Sequence, residues 1–291
     1  MTDDARTITI ARQLRDLVEP LAANVYFAPE VHSAFAELGF NGSSGERDGL
    51  QYPDLVAYFT SRGACMGTVP GEMVVAAFGV FNPEIVVPAV TQGWNVAGRD
   101  EILLARQQGA TASLQRLFGD DPGITHATEL LRRAADAGRA EGRALFSGLR
   151  SLGWPGDPLG DLWRAADLVR EHRGDSHILA WAGRDLDGAE ISLITDPWRG
   201  LPLKSYARSR GWSTKDLDDA ADRLRARGLL DVDELTPAGR DLREDIEVAT
   251  DLQERTLLDA LGDDAEALLA LLKPWARTIV EAKGYPTPLG P

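Results

Sequence analysis

Two short groups of carboxylate and imidazole side chains are the residues of this chain best suited to chemistry. In residues 170–177, six of the eight side chains are ionisable, and the group ends in Asp175-Ser176-His177. A similar triplet, Glu30-Val31-His32, lies near the N-terminus. Neighbouring carboxylate and imidazole groups can transfer protons, hold a polar ligand or bind a divalent metal ion. The two triplets therefore predict a polar functional site.

The predicted site is a pocket for a small-molecule ligand between two halves of the chain. Its predicted ligand-binding residues are Tyr26, Glu30, His32, Arg62, His172, Arg173, Asp175 and His177. No ligand spacing in this set is diagnostic of a metal, so none is assigned, and any cofactor or catalytic residue stays unknown. The structural alternative is that Gly174 ends one helix, Asp175 or Ser176 caps the next, and the other charges form ion pairs.

The elements that would position these triplets are predicted to occur twice. Besides the triplets, three patterns recur in the same order at similar spacing: Ser-Arg-Gly at 61–63 and 209–211, Ala-Gly-Arg-Asp at 97–100 and 238–241, and Gly-Asp-Asp at 119–121 and 262–264. This self-similarity predicts two related halves, 1–152 and 153–291, packed around a pseudo-twofold axis as an intrachain pseudo-dimer. Coincidence in a biased composition is the alternative.

The apolar periodicity predicts a mainly α protein made of two winged-helix-like halves. The predicted helices cover 8–25, 29–38, 51–62, 70–80, 83–93, 98–117, 125–150, 158–173, 176–185, 189–197, 202–210, 213–227, 238–261 and 263–283. The polar, Gly-rich segment 41–49 is expected to be a flexible, exposed loop. The Gly-Trp-Pro-Gly-Asp-Pro segment at 153–158 is the clearest break and marks the predicted boundary between the halves.

The second half contains the layout of a winged helix-turn-helix. Helix 202–210 is predicted to end at Gly211, Ser213 suits the N-cap of helix 213–227, and two short strands around an acidic turn follow. The second helix of such a motif can enter the major groove of double-stranded DNA. The predicted DNA-binding residues are Lys204, Arg208, Arg210, Ser213, Thr214 and Lys215.

The charge of this segment favours DNA binding only in part. Residues 199–229 hold eight basic and four acidic side chains, in a chain whose net charge is −14. A local positive excess is what phosphate binding requires. The aspartates of helix 213–227 and the acidic turn after it favour the alternative, a winged helix that serves only as scaffold. The corresponding segment 58–84 of the first half contains a single arginine and is not expected to bind DNA.

Composition limits the class of protein. Of the 291 residues, 44% are hydrophobic and 26% charged, which is typical of a globular chain long enough for two domains. The single cysteine, Cys65, excludes an internal disulfide, and the N-terminus lacks the apolar stretch of a secretory signal. We therefore expect a cytoplasmic protein, a monomer or homodimer, without a membrane partner. No hydrolase, phosphate-loop or dinucleotide signature is present.

Several motifs resemble those of a helix-turn-helix family from high-GC Gram-positive bacteria. They are Tyr26-Phe27-x-Pro29-Glu30, Ser61-Arg62-Gly63-Ala64-x-x-Gly67, Phe81-Asn82-Pro83, Arg170-Glu171-His172-Arg173-Gly174-Asp175-x-His177 and Arg210-Gly211-Trp212-Ser213. Ser176 departs from the glycine expected there. Residues 224–240 are also similar to the wing region of MarR-type regulators. The resemblance implies a helical architecture with a C-terminal winged helix and implies no particular activity.

Three hypotheses about function follow from the sequence. The first is a ligand-responsive transcriptional regulator that binds DNA through helix 213–227 and a small molecule between its halves. The second is a small-molecule binding or catalytic protein on a winged-helix scaffold without DNA binding, in which His172, Asp175 and His177 hold the ligand or transfer protons. The third is an internal ion-pair network without a ligand.

Overall fold

The protein is mainly helical, as the sequence predicts. The computed structural model describes residues 3–286, and these contain fourteen α-helices and two short hairpins. The helices are α1 (Asp3–Ala23), α2 (Pro29–Leu38), α3 (Leu55–Gly63), α4 (Gly71–Phe78), α5 (Pro83–Val96), α6 (Arg99–Phe118), α7 (Ile124–Asp136), α8 (Ala144–Arg150), α9 (Pro158–Ala182), α10 (Gly188–Trp198), α11 (Thr214–Ala226), α12 (Pro237–Gln253), α13 (Arg255–Leu261) and α14 (Ala265–Glu281). The strands are β1 (Ser43–Arg47), β2 (Leu50–Pro53), β3 (Leu230–Asp231) and β4 (Glu234–Leu235), which form the antiparallel pairs β1–β2 and β3–β4.

Helix α9 is continuous where the sequence predicts a break. Its 25 residues run through Gly174, so the predicted helix end there, with a cap at Asp175 or Ser176, is wrong. A glycine inside a helix costs about 1 kcal/mol. Asp157 provides the true N-cap by accepting a hydrogen bond from the backbone N–H of Gly160. Most residues of α9 are buried, and their packing outweighs the local cost of one glycine.

Other local predictions differ in part from the structure. The segment 202–210 is not an α-helix but a series of turns with one 3₁₀ turn, Ala207–Arg210. Buried Asp196 shapes it by accepting a hydrogen bond from the backbone N–H of Tyr206 (2.9 Å). The segment 41–49 is largely exposed, as predicted, but its residues Ser43–Arg47 form strand β1. The predicted helix 125–150 divides into α7 and α8 around Gly138 and Gly142.

The apolar core consists of two clusters that meet along α9. The larger cluster takes buried residues from 10–169 and 257–279, and the smaller cluster takes them from 180–246. Leu159 to Val169 of α9 belong to the first cluster, and Ala180 and Trp181 belong to the second. The clusters do not divide the chain between 152 and 153, so the division into two domains at that point stays a prediction.

The turn before α11 is held by the segment between α4 and α5. The backbone N–H of Asn82 donates to the carbonyl of Arg210 (3.0 Å), and its side-chain amide donates to the carbonyl of Gly211 (3.1 Å). The indole N–H of Trp212 donates to the carbonyl of Val80 (2.9 Å). Three hydrogen bonds therefore attach the start of α11 to the N-terminal part of the protein.

Two glycines inside helices test this packing. A Cβ atom at Gly109 of α6 would lie 2.6 Å from Cα of Val31, whereas at Gly174 the nearest atom is a side-chain oxygen of Glu171 at 3.4 Å. We expect Gly109→Ala to lower the free energy of unfolding by about 1–3 kcal/mol, because α2 must move away. Gly174→Ala should raise it by about 0.5–1 kcal/mol, because the helix gains propensity without a clash. Urea unfolding of both variants measures this, and a destabilised Gly174→Ala would contradict a continuous α9.

Candidate functional site

Helix α9 carries charged side chains on several faces although most of it is buried. Asp167 and His172 are fully buried, and Glu171 and Asp175 are only 2% and 3% exposed. Charges inside a protein are costly unless they are paired and hydrogen-bonded. The partners of these side chains lie in α3, α6 and α8 and between α12 and α13, so α9 organises the polar interior of the protein.

Glu171 is the centre of a buried ion-pair cluster. Its two carboxylate oxygens accept hydrogen bonds from Nε and Nη2 of Arg62 (2.9 and 2.8 Å), and one of them also accepts from Arg170 (2.6 Å). Arg170 in turn donates two hydrogen bonds to Glu19 of α1 (2.9 and 3.0 Å). Burial would raise the pKa of Glu171, but Arg62 and Arg170 lower it to about 2. The cluster therefore stays ionised at neutral pH.

Tyr26 lies at the edge of the same cluster. Its hydroxyl accepts a hydrogen bond from Arg106 (3.1 Å), and the same guanidinium nitrogen donates to Asp167 (3.1 Å). The ring of Tyr26 lies edge-on to Tyr58, at 4.9 Å between centroids, and the Tyr58 hydroxyl accepts from Arg62 (3.3 Å). Burial raises the pKa of Tyr26 to about 12. The structure thus brings Tyr26 and Arg62, two of the predicted ligand-binding residues, into one polar network.

A small cavity lies beside this network, between α3, α6, α8 and α9. It is lined by Ser61, Arg62, Cys65, Leu103, Arg106, Leu145, Leu149, Leu152, Trp163, Arg164, Asp167 and Glu171. The free space accommodates about one water molecule. Helix α8 forms one wall at short range, since a Cβ atom at Gly148 would lie 2.9 Å from the backbone of Cys65. Burial raises the pKa of Cys65 to about 12, so its thiol is protonated and unreactive.

His172 belongs to a second buried group on another face of α9. Its Nδ1 lies 2.9 Å from both carboxylate oxygens of Glu254, just before α13. The hydroxyl of Ser176 donates to Glu254 (3.0 Å) or to the carbonyl of His172 (2.7 Å), and Nε of Arg143 donates to that hydroxyl (3.0 Å). This group attaches α9 to the C-terminal helices.

Arg173 and His177 face α12. Arg173 pairs with Glu247 (2.8 Å) and Asp251 (2.9 Å), and Nδ1 of His177 lies 3.1 Å from the hydroxyl of Thr250. Burial and the nearby charge of Arg243 lower the pKa of His177 to about 3, so this imidazole is neutral at physiological pH. Arg173 and His177 therefore fasten the helix that follows the second hairpin.

The first triplet has different surroundings. Glu30 forms an ion pair with Arg116 at the surface (2.5 Å), while His32 is buried, with Nε2 2.9 Å from the carbonyl of Tyr26. Asp175 accepts a hydrogen bond from the backbone N–H of Phe146 (3.0 Å) at the start of α8. Within residues 3–286, no hydrogen bond or ion pair joins the first triplet to the second. His32 approaches the Tyr26–Arg62 network through the backbone of Tyr26 alone.

The predicted DNA-binding residues lie around the N-terminal end of α11. Arg208, Ser213, Thr214 and Lys215 are exposed, and Ser213 caps the helix by accepting from the backbone N–H of Asp216 (3.1 Å). The partly buried Lys204 pairs with Asp218, and Lys215 pairs with Asp219. Arg208 forms no ion pair with the residues that the structure describes. The basic side chains thus alternate with aspartates and do not form a continuous positive stripe.

Arg210 has different surroundings from the other five predicted DNA-binding residues. Its guanidinium lies over the rings of Phe81 (4.8 Å) and Tyr206 (4.2 Å). Burial lowers its pKa to about 10. Its side chain supports the turn before α11 from the inside, whereas the exposed end of α11 is formed by its neighbours.

Sequence reasoning missed several residues of the buried network. They are Glu19, Arg106, Arg164, Asp167, Glu247 and Glu254. A signal was present for two of them, because Arg164 and Asp167 occur among the apolar residues Leu159 to Val169. A helix that is apolar on all sides is buried, so its few charges must be buried with it.

Residues 3–286 lack both a metal-binding cluster and a membrane-spanning helix. They contain no group of three or more His, Cys, Asp or Glu side chains placed to hold a metal ion. None of their helices combines the length and apolar character needed to cross a membrane.

The fold and these contacts define a helical protein with a buried charge network and an exposed helix between a turn and a hairpin. Comparison with family models assigns it more closely. The chain belongs to a helix-turn-helix family, whose model matches residues 11–286. Membership indicates a DNA-binding regulator in general. No curated protein and no solved structure matches the chain.

The buried Arg62–Glu171 pair should be essential for stability. We expect Glu171→Gln to lower the free energy of unfolding by about 3–5 kcal/mol at neutral pH, because the buried guanidinium of Arg62 loses its counter-charge. Glu30→Gln, which removes a half-exposed arginine–glutamate pair, should cost less than about 1 kcal/mol and is the matched control. In the native protein the contribution of Glu171 should disappear as pH falls from 4.5 towards 2. Urea unfolding at neutral and acidic pH measures the two variants and the pH dependence. Equal losses of stability in Glu171→Gln and Glu30→Gln would refute the essential role of the Arg62–Glu171 pair.

Asp175 should make the protein less stable as pH rises. Burial raises its pKa from 3.8 to about 7, so in this interval the folded protein retains a proton that the unfolded chain releases. Stability is therefore lost on going from pH 3.8 to about 7 and stays low above it. Asp175→Asn cannot ionise and still accepts from the N–H of Phe146, so it should be more stable than the native protein by about 4 kcal/mol above neutral pH. Urea unfolding at acidic and neutral pH measures this difference, which should vanish in acid, and Asp120→Asn, which removes an exposed carboxylate, is the control.

Proposed function

We propose that this protein is a transcriptional regulator that binds double-stranded DNA through α11 and a small molecule between its two halves. In this proposal the segment from 3₁₀ turn 207–210 to α12 is a winged helix of the MarR type. Halves 1–152 and 153–291 are degenerate copies that form an intrachain pseudo-dimer. The protein acts in the cytoplasm as a monomer or homodimer.

The exposed N-terminal end of α11 is the observation that carries the proposal. Ser213, Thr214 and Lys215 lie there with Arg208, at the place where helix-turn-helix proteins contact base edges and phosphates. The buried stripe Leu217, Ala220, Ala221 and Leu224 packs the opposite face against the smaller core cluster. The helix is thus held on one side and free on the other, as groove binding requires. Family membership supports the same function.

Aspartates on α11 determine how DNA would bind. Lys204 and Lys215 are paired with Asp218 and Asp219, so a phosphate must replace a carboxylate at each lysine. Arg208 forms no ion pair with the described residues and is available without such exchange. We therefore expect few phosphate contacts, weak non-specific binding and a shallow dependence of affinity on salt.

A continuous series of contacts supports coupling between the polar network and the turn before α11. The guanidinium of Arg62 lies over Phe78 (4.3 Å), the rings of Phe78 and Phe81 are 6.1 Å apart, and Arg210 lies over Phe81 (4.8 Å). The carbonyl of Arg210 then accepts from Asn82, which also holds Gly211. A ligand that displaces Arg62 would shift this series and reorient α11. The ligand-binding residues of the proposal are therefore Tyr26 and Arg62, with His32 behind them.

The alternative is a small-molecule binding or catalytic protein that does not bind DNA. The observation that favours it is the pairing of every basic side chain of α11 with an acidic one: Lys215 with Asp219, Arg223 with Asp187, and Arg225 with Asp222. Such a surface has no positive excess to attract a polyanion. DNA-binding measurements separate the two proposals.

Substitution at Lys215 tests the regulator. We expect Lys215→Ala to weaken binding to a fluorescent duplex from upstream of the protein's own gene, and to reduce the slope of log K against log salt by about 1. Asp219→Asn should strengthen binding, because it frees Lys215 for a phosphate. Fluorescence anisotropy between roughly 50 and 200 mM salt measures both effects.

The matched control is Arg47→Ala. This arginine is 81% exposed on the first hairpin, away from α11, and its loss should leave the affinity unchanged. Absence of salt-dependent binding by the native protein, or equal losses from Lys215→Ala and Arg47→Ala, would refute the proposal and favour the alternative.

A further inference from the structure

The cavity between α3, α6, α8 and α9 is lined by a buried guanidinium, that of Arg164, which forms no ion pair with the described residues. Arg164 is 4% exposed. Its Nη1 donates to the carbonyl of Gly153 (3.3 Å), while its Nε has no hydrogen-bond partner in the described structure. Leaving a buried donor unsatisfied costs about 1–3 kcal/mol, and more when the group is charged. An occupant of the cavity would recover this loss.

Asp167 offers a second unsatisfied atom in the same cavity. Its Oδ2 accepts from Arg106 (3.1 Å), but its fully buried Oδ1 has no partner among the described residues. Two residues that line the cavity therefore each carry an unsatisfied buried atom, a donor on Arg164 and an acceptor on Asp167. An occupant that satisfies both must accept one hydrogen bond and donate another.

The charge of the lining selects an anion over water. Three guanidinium groups face two carboxylates around the cavity. Arg62 is paired with Glu171 and Arg106 with Asp167, so the lining carries one positive charge more than it carries negative charges. Water would satisfy the two hydrogen bonds but would not neutralise this charge, whereas an anion does both.

We propose that this cavity binds a small protonated oxyanion, of which bicarbonate is the simplest case. One oxygen of the anion accepts from Nε of Arg164, and its O–H group donates to Oδ1 of Asp167. The present space accommodates about one water molecule, so the anion enters by displacing the partly buried Leu103 and Leu152 at the rim. A hydroxycarboxylate group at the end of a larger molecule offers the same pair of hydrogen bonds and the same negative charge.

This inference rests on the proposed function in taking the cavity beside Arg62 as the place where the small molecule binds. It is measured without DNA, so its failure and the failure of DNA binding can be distinguished. If the protein binds bicarbonate but no duplex, the anion site is supported and the proposed regulator function is contradicted. If it binds a duplex but no anion, the regulator function is supported and the anion site is contradicted.

Titration of the full-length protein with ¹³C-labelled bicarbonate, followed by carbon NMR at constant pH and ionic strength, tests the site. We expect saturable binding to the native protein and at least about tenfold weaker binding to Arg164→Gln, which loses a charged hydrogen bond. Arg132→Gln is the matched control: Arg132 lies over Trp154 (3.9 Å) as Arg164 lies over Trp163 (5.5 Å), but it is 41% exposed and outside the cavity. It should bind like the native protein.

Formate provides a second measurement that needs no variant. It is a planar carboxylate without an O–H group, so it should compete with bicarbonate about tenfold less effectively, since Asp167 receives no hydrogen bond from it. Absence of saturable bicarbonate binding, unchanged affinity in Arg164→Gln, or competition by formate equal to that of unlabelled bicarbonate would each overturn the proposal.

Discussion

The structure depends on the requirement that charges buried on α9 find partners. This helix contributes apolar residues to both core clusters and cannot turn its charged side chains to solvent. Glu171 pairs with Arg62 of α3, and Arg173 pairs with Glu247 of α12. His172 lies against Glu254, just before α13. Removing one member of such a pair leaves an uncompensated charge, which costs more than the pair itself contributes. The pairs therefore fix the relative positions of the helices more than they add to stability.

The same requirement connects the N-terminal part of the chain to the segment around α11. Arg12 and Arg15 of α1 bind carboxylates of α12, including Asp251 (2.7 Å) and Glu247 (2.9 Å). Helix α12 follows the second hairpin, and the turn before α11 is held by Asn82 and Val80. Helix α11 is thus fastened at both ends to elements that also surround the buried network. A displacement of side chains in the buried network can therefore reach the exposed helix α11 through a few direct contacts.

Local features of the fold could be predicted from the sequence, whereas features decided by distant contacts could not. Helices α2 and α11 were located within one residue, because Pro29 suits the first helical turn and Ser213 is an N-cap before an apolar stripe. The continuity of α9 was missed because Gly174 is a local break that packing outweighs. For the site, the cluster 170–177 was recognised from its ionisable side chains. Its partners were not, because Glu19 and Glu254 lie far along the chain and carry no pattern of their own.

The aspartates of α11 change what its surface can recognise in the proposed complex. A carboxylate repels phosphate, but it can accept a hydrogen bond from the amino group of cytosine in the major groove. Asp218, Asp219 and Asp222 are exposed between basic side chains, so a non-specific duplex would meet attraction and repulsion in similar measure. A cognate duplex would place base donors opposite the aspartates and phosphates opposite the basic side chains. The ion pairs between these side chains would then be replaced by contacts with DNA. On this surface, discrimination between sequences comes from base contacts, and the phosphate contacts that strengthen binding to any duplex contribute little.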